Sequence, residues 1–562
     1  MQDSSVGWNF GLLRNQIFAH TLKNNYFCIM TKAELKYKSP SVYAEEIGFD
    51  YANSTSSEHK KESGQFFTSK GISDFMGNLA QSKSGKISIL DPGCGTAILS
   101  CSLIEKLIEK GQIKEISLTL FETDHNIIKE TKKVISFLTT WLSGKGITLD
   151  AKIEQADFVL FNSDVFLQNT LFETQVVEQY DYIISNPPYF KISKSDNRAQ
   201  VARELVYGQP NIYSIFMGLS AKLLKPDGEL IFNTPRSFAA GNYFKAFRNS
   251  FFSEVSISNI HIFESRKKMF KNDNVLQENI IIRATKQKTS TIEVSVTECE
   301  KDLNQPQNSI YDTSELIDLN SKEKILFIPS NRIEANTIKV FSQWHNTLND
   351  YNIQISTGPV VAFRCKEFLI PDLVLNMSIA PLVWLHNIKE MEFVFPLKKG
   401  AKQSYILDSS ESRKVLLKNK NYILIRRFSS KDDKSRLICS PYFATSSRFE
   451  RIGIENHINY VCRPSGELSD DEIWGISALF SSKLFDTYFR TFNGNTQVGA
   501  SELKQIRMPS LEKIITIGGI LKSTNHPSEI EIENIINNVL FGMSYVKSRR
   551  STSNIERVGV AC

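Results

Sequence analysis

Between residues 61 and 286 the sequence alternates short runs rich in β-branched residues with amphipathic stretches of helical periodicity. The β-rich runs are Ile87–Leu90, Ile116–Phe121, Tyr182–Ser185, Glu229–Thr234, Val255–Phe263 and Glu278–Arg283. Strands that alternate with helices favour a mostly parallel sheet covered by helices on both faces. The sequence therefore predicts an α/β fold in this region.

The length of 562 residues allows several domains, since a domain commonly has about 100–200 residues. We predict a partly helical N-terminal leader at 1–55 and the α/β domain at 56–290. The polar stretch at 291–324 is interpreted as a linker with one strand. We predict a second folded region, of mixed α/β structure, at 325–510, and a C-terminal helical segment and tail at 511–562.

Composition and motif content exclude several classes of protein. Hydrophobic residues make up 41% and aromatic residues 11% of the chain, which rules out a disordered protein. No apolar run approaches the ~18–20 residues that a membrane span needs, and the first thirty residues lack the apolar core of a signal peptide. The eight cysteines and eight histidines form no CxxC, zinc-finger or HExxH spacing. We therefore expect reduced thiols, no metal site and a cytoplasmic protein.

The net charge of +6 is concentrated in the C-terminal third of the chain. Residues 330–509 contain 24 basic and 18 acidic residues, so basic and acidic residues balance in the remainder. Residues 411–436 alone contain nine basic and three acidic residues. A clustered basic excess suggests an acidic partner, with nucleic acid the leading candidate. A solvated, lysine-rich surface is the alternative that charge alone leaves open.

A glycine-rich turn follows the first predicted strand, in the sequence Asp91-Pro-Gly93-Cys-Gly95. A phosphate loop requires GxxxxGK[ST], which is absent, and a dinucleotide fingerprint requires a third glycine where Ile98 stands. An acidic residue just before the glycines suits a ligand that carries an ammonium group, such as S-adenosylmethionine. A tight structural turn is the alternative.

Two further acidic positions follow predicted strands. Glu122, with Asp124 as runner-up, ends the second strand and can accept hydrogen bonds from both ribose hydroxyls of a nucleoside. Asp157, followed by Phe158, can accept a hydrogen bond from an adenine amine while the ring packs on the base. Each acid taken alone is also compatible with a solvated loop.

The most specific motif is Asn186-Pro187-Pro188-Tyr189, directly after a predicted buried strand. Consecutive prolines cannot continue a helix or pair in a central strand, so they hold the backbone rigid. The Asn186 side chain and the Pro187 carbonyl can then accept hydrogen bonds from one planar amine. Tyr189 offers a ring face for stacking. A rigid turn without catalytic function is the alternative.

The ordered set of motifs resembles the DNA N6-adenine methyltransferases of bacterial type II restriction–modification systems. It resembles the class in which the catalytic domain precedes the recognition domain, the TaqI-like plan. Further matching segments are Gly64-Gln-Phe-Phe-Thr-Ser69, Asn211-Ile-Tyr213, Leu224-Lys-Pro-Asp-Gly228, Met269-Phe270 and, less specifically, Ser356–Arg364 and Asn493–Val498. The resemblance implies a Rossmann-like S-adenosylmethionine-dependent methyltransferase domain followed by a DNA-recognition domain.

The resemblance also implies roles for individual residues. Those implied for the cofactor are Phe67, Thr68, Asp91, Gly93 and Gly95 at the methionine end, Glu122 at the ribose, and Asp157 with Phe158 at the adenine. Those implied for the target base are the catalytic segment Asn186, Pro187, Pro188 and Tyr189, and Phe270, which stacks on the extruded base unless it is ordinary core. Candidate DNA contacts in the recognition domain are Arg426, Arg427, Lys431 and Arg436.

The expected activity is methyl transfer from S-adenosylmethionine to adenine N6 in double-stranded DNA. The expected protein is a monomer that pairs functionally with a cognate restriction endonuclease and does not bind a membrane. The same Asn-Pro-Pro-Tyr geometry also suits an N4-cytosine methyltransferase, and less well a protein-glutamine or RNA methyltransferase. A noncatalytic DNA-binding module with a decayed methyltransferase fold is the alternative from another class.

Overall fold

The computed structural model describes residues 38–56, 68–166, 178–206, 208, 210–264, 278–374, 377–397, 402–429, 433–494, 497–524 and 527–542. The helices up to residue 316 are α1 Pro40–Ser54, α2 Lys70–Leu79, α3 Ile98–Lys110, α4 His125–Ser143, α5 Phe158–Phe161, α6 Asn197–Val201, α7 Ile212–Lys222, α8 Lys245–Glu254 and α9 Thr313–Leu316. The strands over the same stretch are β1 Gly85–Pro92, β2 Ile113–Phe121, β3 Thr148–Glu154, β4 Tyr180–Ser185, β5 Leu224–Pro235, β6 Ser256–Phe263, β7 Asn279–Thr285, β8 Thr291–Thr297 and β9 Gln307–Asp312.

Short strands and helices alternate less regularly in the rest of the chain. The helices there are α10 Arg332–Ser342, α11 Asp470–Ser481, α12 Lys483–Phe492, α13 Ala500–Leu503, α14 Leu511–Ser523 and α15 Glu529–Phe541. The strands are β10 Asn346–Thr347, β11 Gln354–Thr357, β12 Leu369–Ile370, β13 Ile379–Val383, β14 Ile388–Lys389, β15 Glu392–Phe393, β16 Tyr405–Leu407, β17 Leu417–Lys418, β18 Tyr422–Arg426, β19 Cys439–Tyr442, β20 Arg451–Ile454, β21 Ile458–Cys462 and β22 Arg507–Met508. Within the described ranges, no helix combines the length and the apolar content that crossing a bilayer demands.

By their contacts the described residues divide into two compact units. The first unit draws its residues from 1–191, 211–233 and 281–287, and the second from 192–210, 234–280 and 288–562. These ranges do not coincide with the domain boundaries expected from the sequence, which stay a prediction.

The first unit is built on a sheet with the strand order β3-β2-β1-β4-β5-β7. Strand β1 pairs in parallel with β2 and β4, while β2 pairs with β3 and β4 with β5 in the same sense. Every residue of β4 is buried, as expected of a central strand covered on both faces. The α/β fold class is confirmed. Because parallel strands end at the same edge, the residues that follow β1, β2 and β4 lie side by side.

Near its amino end, β4 is pinned to its neighbours by Asp181. The Asp181 carboxylate accepts hydrogen bonds from the Ser88 backbone N–H (2.8 Å), Lys83 Nζ (3.0 Å) and Lys225 Nζ (2.7 Å). Burial raises the pKa of Asp181, but the hydrogen bonds from Lys225, Ser88 and Lys83 outweigh burial and lower the pKa to about 2. Asp181 therefore helps to fix β4 against β1, and both strands lead into candidate site residues.

We expect Asp181→Asn to destabilise the protein at pH 7 but not at pH 2. A carboxyl group whose pKa is lower in the folded than in the unfolded chain stabilises the fold above pH ~4 and loses that contribution as the pH falls toward 2. The shift of almost two pKa units corresponds to about 2 kcal/mol in the free energy of unfolding. Urea titrations at several pH values measure it. Asp227→Asn is the control, because Asp227 is largely exposed where it pairs with Lys83 and should contribute little. Equal effects of the two variants would contradict the prediction.

Residues 291–324 are more ordered than the linker expected from the sequence. They contain β8, which pairs in parallel with β6, and β9, which pairs antiparallel with β8. The reason lies in alternation: Ile292, Val294 and Val296 are buried on one face of β8, while polar residues separate them. The average composition of residues 291–324 is polar, and an average hides the alternation of apolar and polar residues that predicts a strand.

The C-terminal part of the second unit packs on both faces of β18. Ile423 and Ile425 contribute to a core formed largely by the helices α11, α12, α14 and α15. Tyr422 and Leu424, which point to the opposite face, contribute to a second core between short strands. A third core contains Leu382 and Trp384, which flank Val383 in the sequence, whereas Val383 itself belongs to the second core.

Candidate active site

The glycine-rich turn after β1 has a left-handed backbone. Gly93 has a φ of 101° and Gly95 a φ of 52°, values that L side chains rarely adopt. The backbone N–H groups of Gly93 and Cys94 both donate to the Phe121 carbonyl at 2.9 Å. These two hydrogen bonds hold the turn against the end of β2, next to Glu122, the acidic residue that directly follows β2.

Asp91, the last residue but one of β1, is completely buried. Ser100 Oγ donates to Asp91 Oδ2 at 2.7 Å, whereas Asp91 Oδ1 has no hydrogen-bond partner among the described residues. Burial raises the pKa of Asp91 to about 7, although the hydrogen bond from Ser100 opposes the shift. A buried carboxylate oxygen without a partner is costly unless a ligand satisfies it. This geometry suits a ligand with a cationic hydrogen-bond donor.

Glu122, directly after β2, is tied to the turn. Its Oε2 accepts from the Gly95 N–H at 3.1 Å, and its Oε1 accepts from the N–H groups of Thr123 (2.7 Å) and Asp124 (2.9 Å). Burial raises the pKa of Glu122, and these backbone hydrogen bonds oppose the rise. The carboxylate is therefore fixed in orientation and keeps further lone pairs for a ligand.

Asp124, the runner-up acid, serves the protein itself. Its Oδ1 accepts from the Asn126 N–H at 2.9 Å and so caps the N-terminus of α4. Its Oδ2 accepts from the Tyr51 hydroxyl of α1 at 2.7 Å. These contacts favour Glu122 over Asp124 as the ligand-binding acid.

Asp157 and Phe158 begin the short helix α5. Asp157 Oδ1 accepts from the N–H groups of Val159 (2.9 Å) and Leu160 (3.0 Å), which is an N-cap geometry. The Phe158 ring is 2% exposed and packs at 5.1 Å from the ring of Phe216. Phe158 therefore belongs to the core of the first unit, and Phe161, which is 53% exposed, is the aromatic residue of α5 that faces outward.

Asn186 follows β4 beside the end of β1. The Ser185 hydroxyl donates to the Pro92 carbonyl at 3.1 Å and so links the two strand ends. Asn186 Nδ2 donates to Thr68 Oγ1 at 3.0 Å. Because Thr68 takes up the amide nitrogen, the amide oxygen Oδ1 is left to accept from other groups.

The Tyr189 hydroxyl lies over that oxygen. It is within hydrogen-bond distance of Asn186 Oδ1 and 3.0 Å from the Asn233 carbonyl oxygen. Burial raises the pKa of Tyr189 well above its usual range, so the hydroxyl is protonated at neutral pH and can donate. Pro187 is buried and Pro188 is partly buried. The Asn-Pro-Pro-Tyr segment is thus a closed hydrogen-bonded unit whose acceptor can exchange one donor for another.

Three of the residues selected from the sequence lie outside the described residues: Phe67, Phe270 and Lys431. Three others, the arginines of the predicted DNA-binding set, bind backbone or buried groups. Arg436 is 2% exposed and its guanidinium donates to Ser429 and Asn493. Arg426 donates to the Ile388 carbonyl and Arg427 to the Asn456 carbonyl. These contacts do not favour DNA contact by Arg426 or Arg436, because their donors are used to hold the fold.

Sequence reasoning missed two supports of the site. Tyr51 reaches Asp124 across 73 residues of sequence, and Ser100 reaches Asp91 from the first turns of α3. The position of Ser100, nine residues after Asp91 on a helix that follows the turn, was a usable signal. Tyr51 offered no signal, because nothing in the sequence specifies where α1 packs.

Comparison with known proteins identifies the class of this chain. Residues 103–270 match the model of the Eco57I restriction-modification methylase family. The chain is 32% identical to the type II methyltransferase M.PstI of Providencia stuartii over 492 residues, which cover 87% of this chain and 95% of that protein. It is 30% identical to the type II methyltransferase M.BsuBI of Bacillus subtilis, over 86% of this chain and 95% of the relative. Among solved structures, the type IIL restriction-modification enzyme MmeI in complex with DNA is similar with a TM-score of 0.49 and 12% identity, covering 90% of this chain and 74% of that one. The chain belongs to the type II methyltransferases of restriction–modification systems.

Proposed function

We propose that this methyltransferase uses S-adenosylmethionine to methylate N6 of an adenine extruded from double-stranded DNA. The observation that carries the proposal is the position of Asn186 at the end of β4, oriented by Thr68, next to the glycine turn and Asp91 at the end of β1. In this proposal, Asn186 is the acceptor for a planar amine and Asp91, at the adjacent strand end, is the acceptor for an ammonium group.

The acidic residues fit the cofactor. The unpartnered Asp91 Oδ1 suits the ammonium group of the methionine moiety, and the fixed Glu122 carboxylate suits the ribose hydroxyls. Asp157 is the candidate for the adenine amine and Phe161 for contact with its ring. When bound, S-adenosylmethionine supplies an electrophilic methyl group on a sulfonium centre. Gly93 and Gly95 keep side chains away from that end of the site.

Asn186 and Pro187 orient the target amine in this proposal. Asn186 Oδ1 accepts a hydrogen bond from one amine N–H after the Tyr189 hydroxyl gives up that position, and the Pro187 carbonyl accepts a hydrogen bond from the other. The amine nitrogen is then held with its lone pair toward the cofactor side of the site. Its lone pair would form the bond to the methyl carbon as the bond from that carbon to sulfur breaks, the sulfur would keep the electron pair, and the surplus proton on nitrogen would pass to water. Positioning of this kind accounts for a large share of catalysis in group transfer, because it replaces the entropy cost of alignment.

The target base has to leave the duplex, because its amine is not accessible to a side chain in the base stack. Extrusion costs a few kcal/mol of unstacking and unpairing. Stacking on an aromatic residue such as Tyr189 returns about 1–3 kcal/mol. The methylated DNA then resists a cognate restriction endonuclease, which is the functional partner that we propose.

The test is to identify the methylated base. Duplex DNA incubated with the protein and S-adenosylmethionine carrying a labelled methyl group is digested to nucleosides and analysed by mass spectrometry. We expect N6-methyladenine. N4-methylcytosine would overturn the adenine assignment and keep DNA methylation, since a cytosine amine fits the same two acceptors. Label in protein or RNA, and not in DNA, would overturn the proposed substrate.

A further inference from the structure

An open groove lies in the second unit, among the short strands that precede α11. It has a volume of about 850 Å³ and is lined by four short segments and Phe428. The segments contribute residues from 362–369, 384–386, 402–403 and 455–457. We call this the polar groove, after the polar side chains that stand in its largely apolar lining.

Polar side chains in the polar groove have unused hydrogen-bonding capacity. Lys366, His386, Gln403 and Asn456 line it. In the ranges that the structure describes, the side chains of these residues have no hydrogen-bond or ion-pair partner within the protein. Together they present amide donors and acceptors, an imidazole and an ammonium group toward one space.

Aromatic rings also line the groove, and a lysine ammonium group lies over one of them. Phe363 is 68% exposed, and the Phe428 ring lies 4.9 Å from the ring of His457. Lys402 Nζ lies 5.0 Å from the centre of the Trp384 ring. An exposed ring such as Phe363, with lysine side chains in the same lining, suits a ligand that has both flat apolar faces and negative charge.

The groove lining contains one carboxylate, and it is held by His457. Glu455 is 2% exposed, its Oε1 lies 2.8 Å from His457 Nδ1, and its Oε2 accepts from the His457 N–H at 2.9 Å. The two lysines of the lining, Lys366 and Lys402, outnumber this single carboxylate. The charge complements an anionic ligand.

Two arginines hold the groove in shape. Arg426 donates through Nε (2.8 Å) and Nη2 (2.5 Å) to the Ile388 carbonyl, just after the 384–386 segment. Arg427 Nη1 donates to the Asn456 carbonyl at 3.0 Å and so fixes the turn that carries Asn456 and His457. The wall is therefore preorganised, as readout of base edges demands.

We propose that the polar groove reads base edges of the DNA target, with Gln403 and Asn456 as specificity-determining residues. The proposal rests on the proposed function, because it takes duplex DNA as the ligand. Amide side chains pair with two edge positions of adenine, while lysine pairs with guanine. Lys366 and Lys402 are then placed for phosphate or guanine contacts. Arg426 and Arg427, selected from the sequence as contacts, act instead as positioning residues for this wall.

The test compares the sequences methylated by the wild-type protein with those methylated by Gln403→Ala and Asn456→Ala. The DNA is a library of duplexes with randomised sequence, treated with protein and S-adenosylmethionine and sequenced for methylated positions. Losing one bidentate base contact removes about 1–3 kcal/mol of discrimination. We therefore expect methylation of singly mismatched sites to rise about 5- to 150-fold relative to the wild-type site, at one position of the pattern for each variant.

Gln343→Ala is the matched control, since Gln343 is an exposed glutamine of the same unit outside the groove. Gln403→Glu is the second variant: it keeps the side-chain size, replaces the amide donors by acceptors and should change the preferred base if folding is intact. S-adenosylmethionine binding by each variant reports folding separately from readout.

Retention of the wild-type pattern by both Gln403 variants and by Asn456→Ala would overturn the groove assignment while leaving the proposed function intact. If instead the wild-type protein methylates no duplex in the library, the proposed function fails, and with it the assignment of DNA as the ligand. A shifted pattern in Gln343→Ala equal to that of Gln403→Ala would also overturn the proposal, because the effect would not depend on the groove.

Discussion

Asn186→Ala is expected to lose methyl transfer while the protein stays folded and binds S-adenosylmethionine. The substitution removes the Oδ1 acceptor that we assign to the target amine and the Nδ2 donor to Thr68. Loss of one preorganised polar group from an active site costs about a hundredfold to a thousandfold in rate. Single-turnover measurements with saturating DNA report that step, and calorimetry reports cofactor binding. Because Asn186 is not among the residues that we propose to bind S-adenosylmethionine, the dissociation constant for that cofactor should change little.

Asn186→Asp distinguishes the two roles of the side chain, which are to be oriented by Thr68 and to accept a hydrogen bond from the target amine. Aspartate keeps an acceptor oxygen, and the Thr68 hydroxyl can rotate to donate to the other oxygen. We therefore expect Asn186→Asp to retain more activity than Asn186→Ala. Asn78→Ala, at an exposed asparagine of α2 in the same unit, is the matched control and should keep full activity. A wild-type methylation rate in Asn186→Ala would contradict the assignment of Asn186 as a catalytic residue.

The sheet of the first unit could be predicted from the sequence because its strands are apolar and its helices amphipathic. The runs Ile87–Leu90, Ile116–Phe121 and Tyr182–Ser185 all fall within β1, β2 and β4. Once those strands are parallel neighbours, Asp91, Glu122 and Asn186 have to meet at one edge, so their proximity also follows from the sequence. The meeting of these residues depends on local pattern and on the geometry of parallel sheets.

Contacts between segments distant in sequence could not be predicted in the same way. Thr68 contacts Asn186 across 118 residues, and no periodicity specifies that pair. Charge was misleading for the same reason: Arg436 lies in a basic cluster, yet it is buried and bound to Ser429 and Asn493. An arginine that satisfies buried acceptors and one that contacts phosphate look the same in a sequence. Only the fold reveals which acceptors are close.

Asp91→Asn is expected to weaken S-adenosylmethionine binding by about thirtyfold or more at pH 8. Truncating one partner of a buried, hydrogen-bonded charge pair costs about 2–5 kcal/mol, and asparagine keeps the shape of the side chain while removing its charge. Asp150→Asn, at an exposed acid of β3, is the matched control and should bind as the wild type does. Wild-type affinity in Asp91→Asn would contradict the assignment of Asp91 to the ammonium group.

Because of Asp91, we expect the affinity for S-adenosylmethionine to rise with pH and the free energy of unfolding to fall with pH. Burial raises the pKa of Asp91 to about 7, so the carboxyl group is protonated below that pH in the ligand-free protein and cannot pair with a cation. Wild-type affinity should therefore rise between pH 5.5 and 8, and Asp91→Asn should lack that rise. A carboxyl group with a raised pKa in the folded state makes stability fall as the pH rises from ~4 through 7, because the folded chain binds the proton more tightly than the unfolded chain does. Asp91→Asn should consequently be more stable than the wild type at pH 8 in the absence of ligand, and weaker binding together with greater stability cannot be explained by unfolding.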